Sequence, residues 1–211
     1  MYIPRHFLND DKSQVLGFMK QYSFATIISL QGDTPVATHL PFVIEERKDS
    51  LVLISHFARA NEQWKELEQQ TALVIFAEPH AYISPKHYDT ELNVPTWNYI
   101  AVHAYGKAAI LSEEQKVIEV LEKTIQNYEA SYQQQWSSLP EKIKAGMIKG
   151  IVAFEVIVTD LQAKYKLSQN RTETEKTSII ESLRQSNNSS EYKVAEMMES
   201  ILPKKTSSDE I

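Results

Sequence analysis

The sequence predicts an α+β protein in which a small antiparallel β-barrel comes first and helices are inserted or appended. Three strand-like segments, 24–30, 36–44 and 51–56, follow one another closely, separated by the polar turns 31–35 and 45–50. Such hairpin spacing favours an antiparallel sheet over alternating βαβ units. In the last forty or so residues, a capping box and apolar residues at helical spacing indicate a change from strands to helices.

The remaining elements complete this prediction with about seven strands in all. Further strands are expected at 73–77, at 81–84, at 96–110 with a bend or bulge near Gly106, and at 151–158 continuing toward Lys166. Helices are expected after a cap at Asn9 or Asp10, at 60–70, after the capping box Ser112-x-x-Gln115, at 139–149, after the capping box Thr172-x-x-Glu175, and at 192–202. We therefore expect a barrel domain over residues 1–170 and a helical appendage over 171–211, frayed at 204–211.

Composition narrows the possible functions. The 211 residues are 42% hydrophobic and include no cysteine, which excludes disulfides, thiolate catalysis and cysteine metal sites. Neither an apolar run long enough to span a membrane nor a secretory signal is found, so a cytoplasmic location without membrane contact is expected. The net charge of −6 argues against broad nonspecific binding to nucleic acid, although a local basic patch stays possible.

Several chemical signatures are missing from the sequence. The 5 glycines form no G-x-G-x-x-G or P-loop pattern, and the 6 histidines are dispersed without metal-ligand spacing. No nucleophile elbow and no basic recognition helix stands out. We therefore expect no metal site, and we assign no catalytic residue.

The segment Thr38-His39-Leu40-Pro41 predicts an edge strand. Alternation places Thr38 and Leu40 on one face and His39 and Pro41 on the other. Pro41 cannot donate a ladder hydrogen bond, so one side of the strand should be unpaired. Free backbone groups there are suited to a planar heterocycle; the alternative is an ordinary edge strand with a surface histidine.

A second segment, around the junction after 51–56, is suited to a phosphate. Arg59 offers a planar guanidinium at the start of a helix, and His56 and Asn61 flank it. The alternative is that Asn61 only caps the helix, that Arg59 forms a surface ion pair and that Trp64 belongs to the core.

Polar-tipped aromatic residues gather in two further strands. Tyr82 and Ser84 offer two hydroxyls on one side of a short strand flanked by prolines. Trp97, Tyr99 and His103 alternate onto one face of the longest strand. Each polar tip needs a partner when buried, so this face fits a ligand wall or a subunit interface, or else a polar-tipped core layer.

The last candidate is a pair of lysines. If residues 164–171 are extended, Lys164 and Lys166 share a face, with Cα atoms about 7 Å apart. Two ammonium groups this close repel each other unless an anion lies between them or carboxylates neutralise them. The alternative is a solvated, charged strand end.

Taken in order, these segments resemble the PaiB family of FMN-binding negative transcriptional regulators. The matching strings are Met1-Tyr2-Ile3-Pro4, Thr38-His39-Leu40-Pro41-Phe42, Ala58-Arg59-Ala60-Asn61 with Gln63-Trp64, Ala81-Tyr82-Ile83-Ser84-Pro85, Val94-Pro95-Thr96-Trp97-Asn98-Tyr99 with Val102-His103, and Lys166-Leu167-Ser168-Gln169-Asn170-Arg171. The sequence departs from the family pattern at Ser55 and Glu62, where glycine and proline are common, and at Ala77-Glu78, where a glycine is missing.

The resemblance implies a split β-barrel related to flavin reductases and pyridoxine-phosphate oxidases. It implies noncovalent FMN at the interface of a homodimer, and repression of sporulation and degradative-enzyme (protease) genes. The expected FMN-binding residues are Thr38, His39, Leu40 and Pro41 at the isoalloxazine edge, His56, Arg59 and Asn61 or Lys164 and Lys166 at the phosphate, and Tyr82, Ser84, Trp97, Asn98, Tyr99 and His103 along the ring or the dimer interface. A flavin-dependent oxidoreductase acting on a small molecule is the alternative function.

Overall fold

The computed structural model describes residues 1–202 and contains a seven-stranded sheet. The strands are β1 (Phe24–Gln31), β2 (Thr34–Pro41), β3 (Val43–Arg47), β4 (Ser50–Ala58), β5 (Thr71–Ile83), β6 (Thr96–Leu111) and β7 (Ile151–Lys166). Their order across the sheet is β2-β1-β5-β6-β7-β4-β3. The pairs β1–β2, β1–β5, β3–β4 and β4–β7 are antiparallel, as the hairpin spacing predicts.

Six α-helices accompany the sheet within the described residues. They are α1 (Lys12–Gln21), α2 (Glu114–Tyr128), α3 (Gln133–Ser138), α4 (Glu141–Lys149), α5 (Glu173–Arg184) and α6 (Ser189–Ser200), and shorter 3-10 helices lie at Arg5–Phe7, Glu62–Gln69, Pro85–His87 and Ala130–Tyr132. Over residues 1–202, none of these helices is long and apolar enough to cross a membrane.

The helix starts differ from the sequence prediction in instructive ways. Asp11, and neither Asn9 nor Asp10, caps α1 by accepting a hydrogen bond from the Gln14 amide. The box predicted at Ser112 was wrong: α2 begins at Glu114 without a side-chain cap. The box at Thr172 and Glu175 is present in full at the start of α5.

Other predicted elements also changed their bounds. Residues 71–83 form one strand where two were predicted, and 60–70 form a 3-10 helix from Glu62 to Gln69. The frayed segment predicted at 204–211 lies outside the described residues.

The chain packs into two compact units. Within the described residues, the first unit contains Met1, residues 10–76 and residues 102–162, and the second contains residues 2–9, 77–101 and 163–202. This division differs from the one predicted at residue 170. Each of the strands β5, β6 and β7 contributes residues to both units.

Aromatic side chains organise the core of the first unit. Phe42, Phe57, Phe76 and Phe154 are fully buried. The rings of Phe57 and Phe154 stack with centroids 4.7 Å apart, and Phe42 meets Phe76 and Phe154 edge-on at 6.1 and 6.2 Å. Offset and edge-on arrangements of this kind are the favourable ones for aromatic pairs.

Helices α5 and α6 pack against each other in the second unit. Their apolar residues Ile179, Leu183, Val194 and Met198 are buried. At its N-terminus α6 is joined to β5 by the Ser190 hydroxyl, which accepts from the His80 amide and donates to the His80 carbonyl. The predicted helical appendage is therefore hydrogen-bonded to the sheet within this unit.

A buried carboxylate joins α5 to the loop after β5. Glu175 accepts hydrogen bonds from the amides of Asp89, at 3.0 Å, and Thr172, at 3.1 Å. Burial alone would raise the pKa of Glu175, but these two amides and the charge of Arg171 bring its pKa below the ordinary value. The charged form of Glu175 is thus the one that stabilises the folded state.

We therefore expect the second unit to lose stability in acid. The pKa of Glu175 is lower in the folded state than its ordinary value of 4.5, which applies to the unfolded chain. The charged carboxylate therefore stabilises the folded protein fully above that ordinary value. This stabilisation is lost as the pH falls through the folded-state pKa. In chemical unfolding followed between pH 7 and 3, Glu175→Gln should be less stable than wild type at pH 7 and should approach it near pH 3. The exposed α5 variant Glu181→Gln should follow wild type; a Glu175→Gln curve parallel to wild type would contradict the assignment.

Candidate functional site

In the first unit, β2 lies at an edge of the sheet, as Pro41 predicts. β2 is the first strand in the sheet order and pairs with β1, with Thr38 opposite Ile27. Thr38 and Leu40 are half-buried while His39 is exposed, in agreement with the predicted alternation. One backbone edge of β2 is therefore available for hydrogen bonding to a ligand or to another chain.

A buried glutamine that was not among the expected FMN-binding residues fixes this strand. Gln63 donates to Ser29 Oγ at 3.0 Å and accepts from the Thr38 hydroxyl at 2.6 Å. Asn61 donates to the same hydroxyl at 2.8 Å and caps the 3-10 helix by accepting from the Gln63 amide. Asn61 thus takes the capping role that was its alternative, and the side chains of Thr38 and Asn61 are engaged within the protein.

The segment before this helix is buried in the sheet. Ser55, where the family commonly has glycine, is buried and donates to the Pro41 carbonyl at 2.7 Å. Next to it, the half-buried imidazole of His56 has its pKa lowered by burial. His56 is therefore neutral at pH 7 and adds no positive charge for a phosphate.

Arg59 is held by the backbone of the first unit. Its Nε donates to the Lys149 carbonyl at 2.7 Å and its Nη2 donates to the Ile151 carbonyl at 2.6 Å. The Arg59 carbonyl accepts from the Trp64 indole at 3.2 Å. Two sides of the guanidinium are thus occupied, and the binding of phosphate by Arg59 stays a prediction.

His103 carries an unsatisfied buried atom. Its Nδ1 is buried and has no hydrogen-bond partner among the described residues, while its ring lies 6.4 Å from that of Tyr105. Burial and the nearby N-terminal charge lower the pKa of His103, so the imidazole is neutral at pH 7. A buried polar atom without a partner is costly, which makes His103 a position where a ligand group would be stabilising.

In the second unit, exposed aromatic side chains gather where β5 and β6 contribute residues. The Trp97 ring lies 5.9 Å from the Tyr82 ring and 6.0 Å from the His80 ring. Trp97 and Tyr82 are 52% and 48% exposed, so this cluster is available for contact. The hydroxyl of Ser84, which was predicted to point the same way as Tyr82, accepts a hydrogen bond from the Lys86 amide at 3.3 Å at the start of a 3-10 turn.

Asn98 does not line a surface, contrary to the expectation that it walls a ring. It is fully buried, and its amide donates to the Ser168 hydroxyl at 2.9 Å and approaches Met198 Sδ at 3.4 Å. Ser168 has a positive φ of 61°, a rare conformation for a residue with a side chain. Asn98 therefore stabilises the turn that follows β7.

The predicted lysine pair lies in the same unit among aromatic side chains. Lys164 is buried, with Nζ 5.2 Å from the centre of the Tyr99 ring and 5.9 Å from that of Tyr2. Lys166 is half-buried; its Nζ lies 6.0 Å from the Phe7 ring, and it donates to the Thr96 hydroxyl.

The charges of this pair are not neutralised by the protein. Among the described residues neither Lys164 nor Lys166 forms an ion pair with a carboxylate. Burial lowers the pKa of Lys166, and the charge of Lys164 lowers it further. The structure thus has the two cations of the sequence prediction without neutralising carboxylates, and the burial of Lys164 argues against the alternative of a solvated strand end. An anion bound here would relieve the repulsion.

Comparison with known proteins identifies related sequences. Residues 1–160 match the model of the family described as "Putative FMN-binding domain". The chain is 41% identical over 207 residues to the Bacillus subtilis (strain 168) protein named "Protease synthase and sporulation protein PAI 2", an alignment that covers 97% of this chain and 99% of that protein. It is also 30% identical over 167 residues to an uncharacterized protein of Saccharomyces cerevisiae, covering 68% of this chain and 99% of that protein. The resemblance to the PaiB family is confirmed.

Solved structures agree with the predicted fold. The flavocytochrome Anf3 of Azotobacter vinelandii matches with a TM-score of 0.62 and 16% identity, covering 78% of this chain and 72% of that chain. A Mycobacterium smegmatis protein described as binding FAD and heme matches with a TM-score of 0.58 and 12% identity, over 75% and 72% of the two chains. The prediction of an α+β protein with an antiparallel split barrel is confirmed.

Proposed function

Since the chain belongs to the FMN-binding-domain family whose model it matches, we propose that it binds FMN noncovalently and uses it to control gene expression. The single observation that carries the ligand part is the un-neutralised lysine pair at the end of β7. A phosphate monoester brings up to two negative charges, which two nearby ammonium groups match. We assign the FMN phosphate to Lys164 and Lys166.

The residues around the pair are chemically suited to a flavin. The ammonium groups of Lys164 and Lys166 lie near the aromatic rings of Tyr2, Phe7 and Tyr99. The Thr96 hydroxyl accepts a hydrogen bond from Lys166. When bound, the isoalloxazine would supply reversible electron transfer, whereas the protein's own groups bind and orient the nucleotide.

We extend the proposal to a homodimer with the flavin between subunits. The exposed pair Trp97 and Tyr82 supports it, because large aromatic side chains are enriched at interfaces between proteins.

FMN binding is tested by titrating the purified protein with FMN and with riboflavin, which lacks the phosphate. We expect one site per chain, followed by flavin fluorescence, and at least about tenfold weaker binding of riboflavin because the charge-assisted contacts are lost. Failure to bind FMN would overturn the proposal, and equal affinities would remove the phosphate assignment.

The regulatory part is supported by the Bacillus subtilis relative, whose name refers to protease synthesis and sporulation. We propose that this chain represses genes of the same kind. With a net charge of −6, it would need a local basic surface or a partner protein to act at DNA.

Complementation tests this role. A Bacillus subtilis strain lacking its PAI 2 protein should secrete less protease when it expresses this chain than when it carries an empty vector. If repression depends on flavin, a variant that folds but does not bind FMN should give the same protease secretion as the empty vector. Unchanged secretion with wild-type protein at normal expression would contradict the regulatory proposal and favour the oxidoreductase.

A further inference from the structure

The first unit contains a cavity of about 580 Å³ that the flavin proposal does not use. We propose that this cavity binds a small amphipathic monoanion, a carboxylate carried by an apolar chain or ring. The proposal goes beyond the assigned function, because the phosphate of FMN is placed on Lys164 and Lys166. The volume falls within the roughly 300–1,000 Å³ typical of small-molecule sites.

The wall of the cavity is mostly apolar. Leu111 at the end of β6, Val117 on α2, Ile148 on α4 and Val152 on β7 all line it. Val117 and Val152 are buried, and Leu111 and Ile148 pack against the core cluster that contains Val117. This surface is suited to the hydrocarbon part of a ligand.

The polar end of the cavity carries a fixed cation. Arg59 lines the cavity, and its Nε and Nη2 are held by two backbone carbonyls. Its Nη1 has no hydrogen-bond partner among the described residues. A guanidinium immobilised in this way loses little further entropy when it donates to an anion.

The balance of charge favours a single negative charge. Arg59 and Lys149 line the cavity as cations, and neither forms an ion pair within residues 1–202. Glu114 is the carboxylate among the lining residues. The two cations and the one carboxylate of the lining leave a net charge of +1. The carboxylate of a ligand would neutralise this charge, whereas a phosphate dianion would exceed it.

Trp64 completes the polar end. Its indole donates to the backbone carbonyl of Arg59, and its ring also lines the cavity. Occupation of the cavity should therefore change the fluorescence of Trp64.

The test compares octanoate with octan-1-ol, which has the same chain without the charge. Calorimetric titration of the full chain should give one octanoate site, and octan-1-ol should bind at least about tenfold more weakly. Arg59→Met should weaken octanoate about tenfold and leave octan-1-ol unchanged, because only the charge-assisted hydrogen bond is lost. Lys142→Gln, on α4 but outside the cavity, should bind both as wild type does.

Two variants that fill the cavity make the test independent of Arg59. Ala145→Phe on α4 and Ser112→Phe before α2 place a ring at the lining and should abolish binding of both probes. Circular dichroism confirms that each variant is folded. Absence of octanoate binding, or binding that survives both variants, would overturn the proposal.

Binding measurements with FMN distinguish this cavity from the flavin site. Saturating octanoate should leave the FMN affinity unchanged, and the cavity-filling variant Ala145→Phe should bind FMN as wild type does. Competitive displacement of FMN by octanoate would mean that the cavity is part of the flavin site, and the proposal of a separate ligand would fail. The flavin proposal fails instead if FMN does not bind at all.

Discussion

Replacing Gly106 with alanine is expected to destabilise the protein by about 3 kcal/mol, in the upper range of overpacking in a closely packed interior. A Cβ atom at this position would lie 2.3 Å from the Ile157 carbonyl oxygen and 2.7 Å from Val156 Cγ1. The oxygen belongs to the backbone of β7 and cannot move aside as a flexible side chain would. The substitution therefore has to separate β6 from β7 or distort both.

Urea unfolding measures this effect against a matched glycine. Gly17 lies within α1, and a Cβ there would meet nothing within 4 Å. Gly17→Ala should raise the free energy of unfolding by about 0.5–1 kcal/mol, since alanine is the better helix former. Equal changes at Gly106 and Gly17 would contradict the close approach of β6 to β7.

The double variant Lys164→Gln, Lys166→Gln is expected to raise the dissociation constant of FMN about a hundredfold. Each lysine contributes one charge-assisted contact of about 1.5 kcal/mol or more, and about 1.4 kcal/mol corresponds to a factor of ten. Glutamine keeps a long polar side chain in a buried position, so folding should be preserved.

Riboflavin and two other variants control this measurement. The double variant should bind riboflavin as wild type does, because riboflavin has no phosphate. Lys107→Gln, which removes an exposed lysine of β6, should leave FMN affinity unchanged. A larger loss with Arg59→Gln than with the double variant would move the phosphate to Arg59, and equal losses for FMN and riboflavin would indicate a structural role for the lysines.

The fold was predictable where a residue has one strong physical preference. Pro41 lacks a donor and so marks β2 as an edge strand, which the sheet order confirms. The box of Thr172 and Glu175 predicted the start of α5, because both of its hydrogen bonds form within one turn. The similar pattern at Ser112 failed: it prescribes the same local geometry, but the chain turns into α2 two residues later.

The candidate site was less predictable, since partners distant in sequence decide it. Asn98 was expected to line the ring together with Trp97 and Tyr99, because its partners Ser168 and Met198 become visible only in the folded chain. Gln63 lies in a short polar helix, and no local signal distinguishes it from a solvated residue. The pair Lys164 and Lys166 was predictable from strand periodicity, but the lack of neutralising carboxylates was not.

Three strands shared between two packing units also constrain how this protein can evolve. The chain passes from one unit to the other at several points, so neither unit corresponds to one continuous stretch of gene. A single recombination or truncation cannot exchange or remove either unit as a cassette. Variation in ligand preference must therefore come from point substitutions and loop changes within an intact chain, and a fusion partner is best tolerated at a terminus.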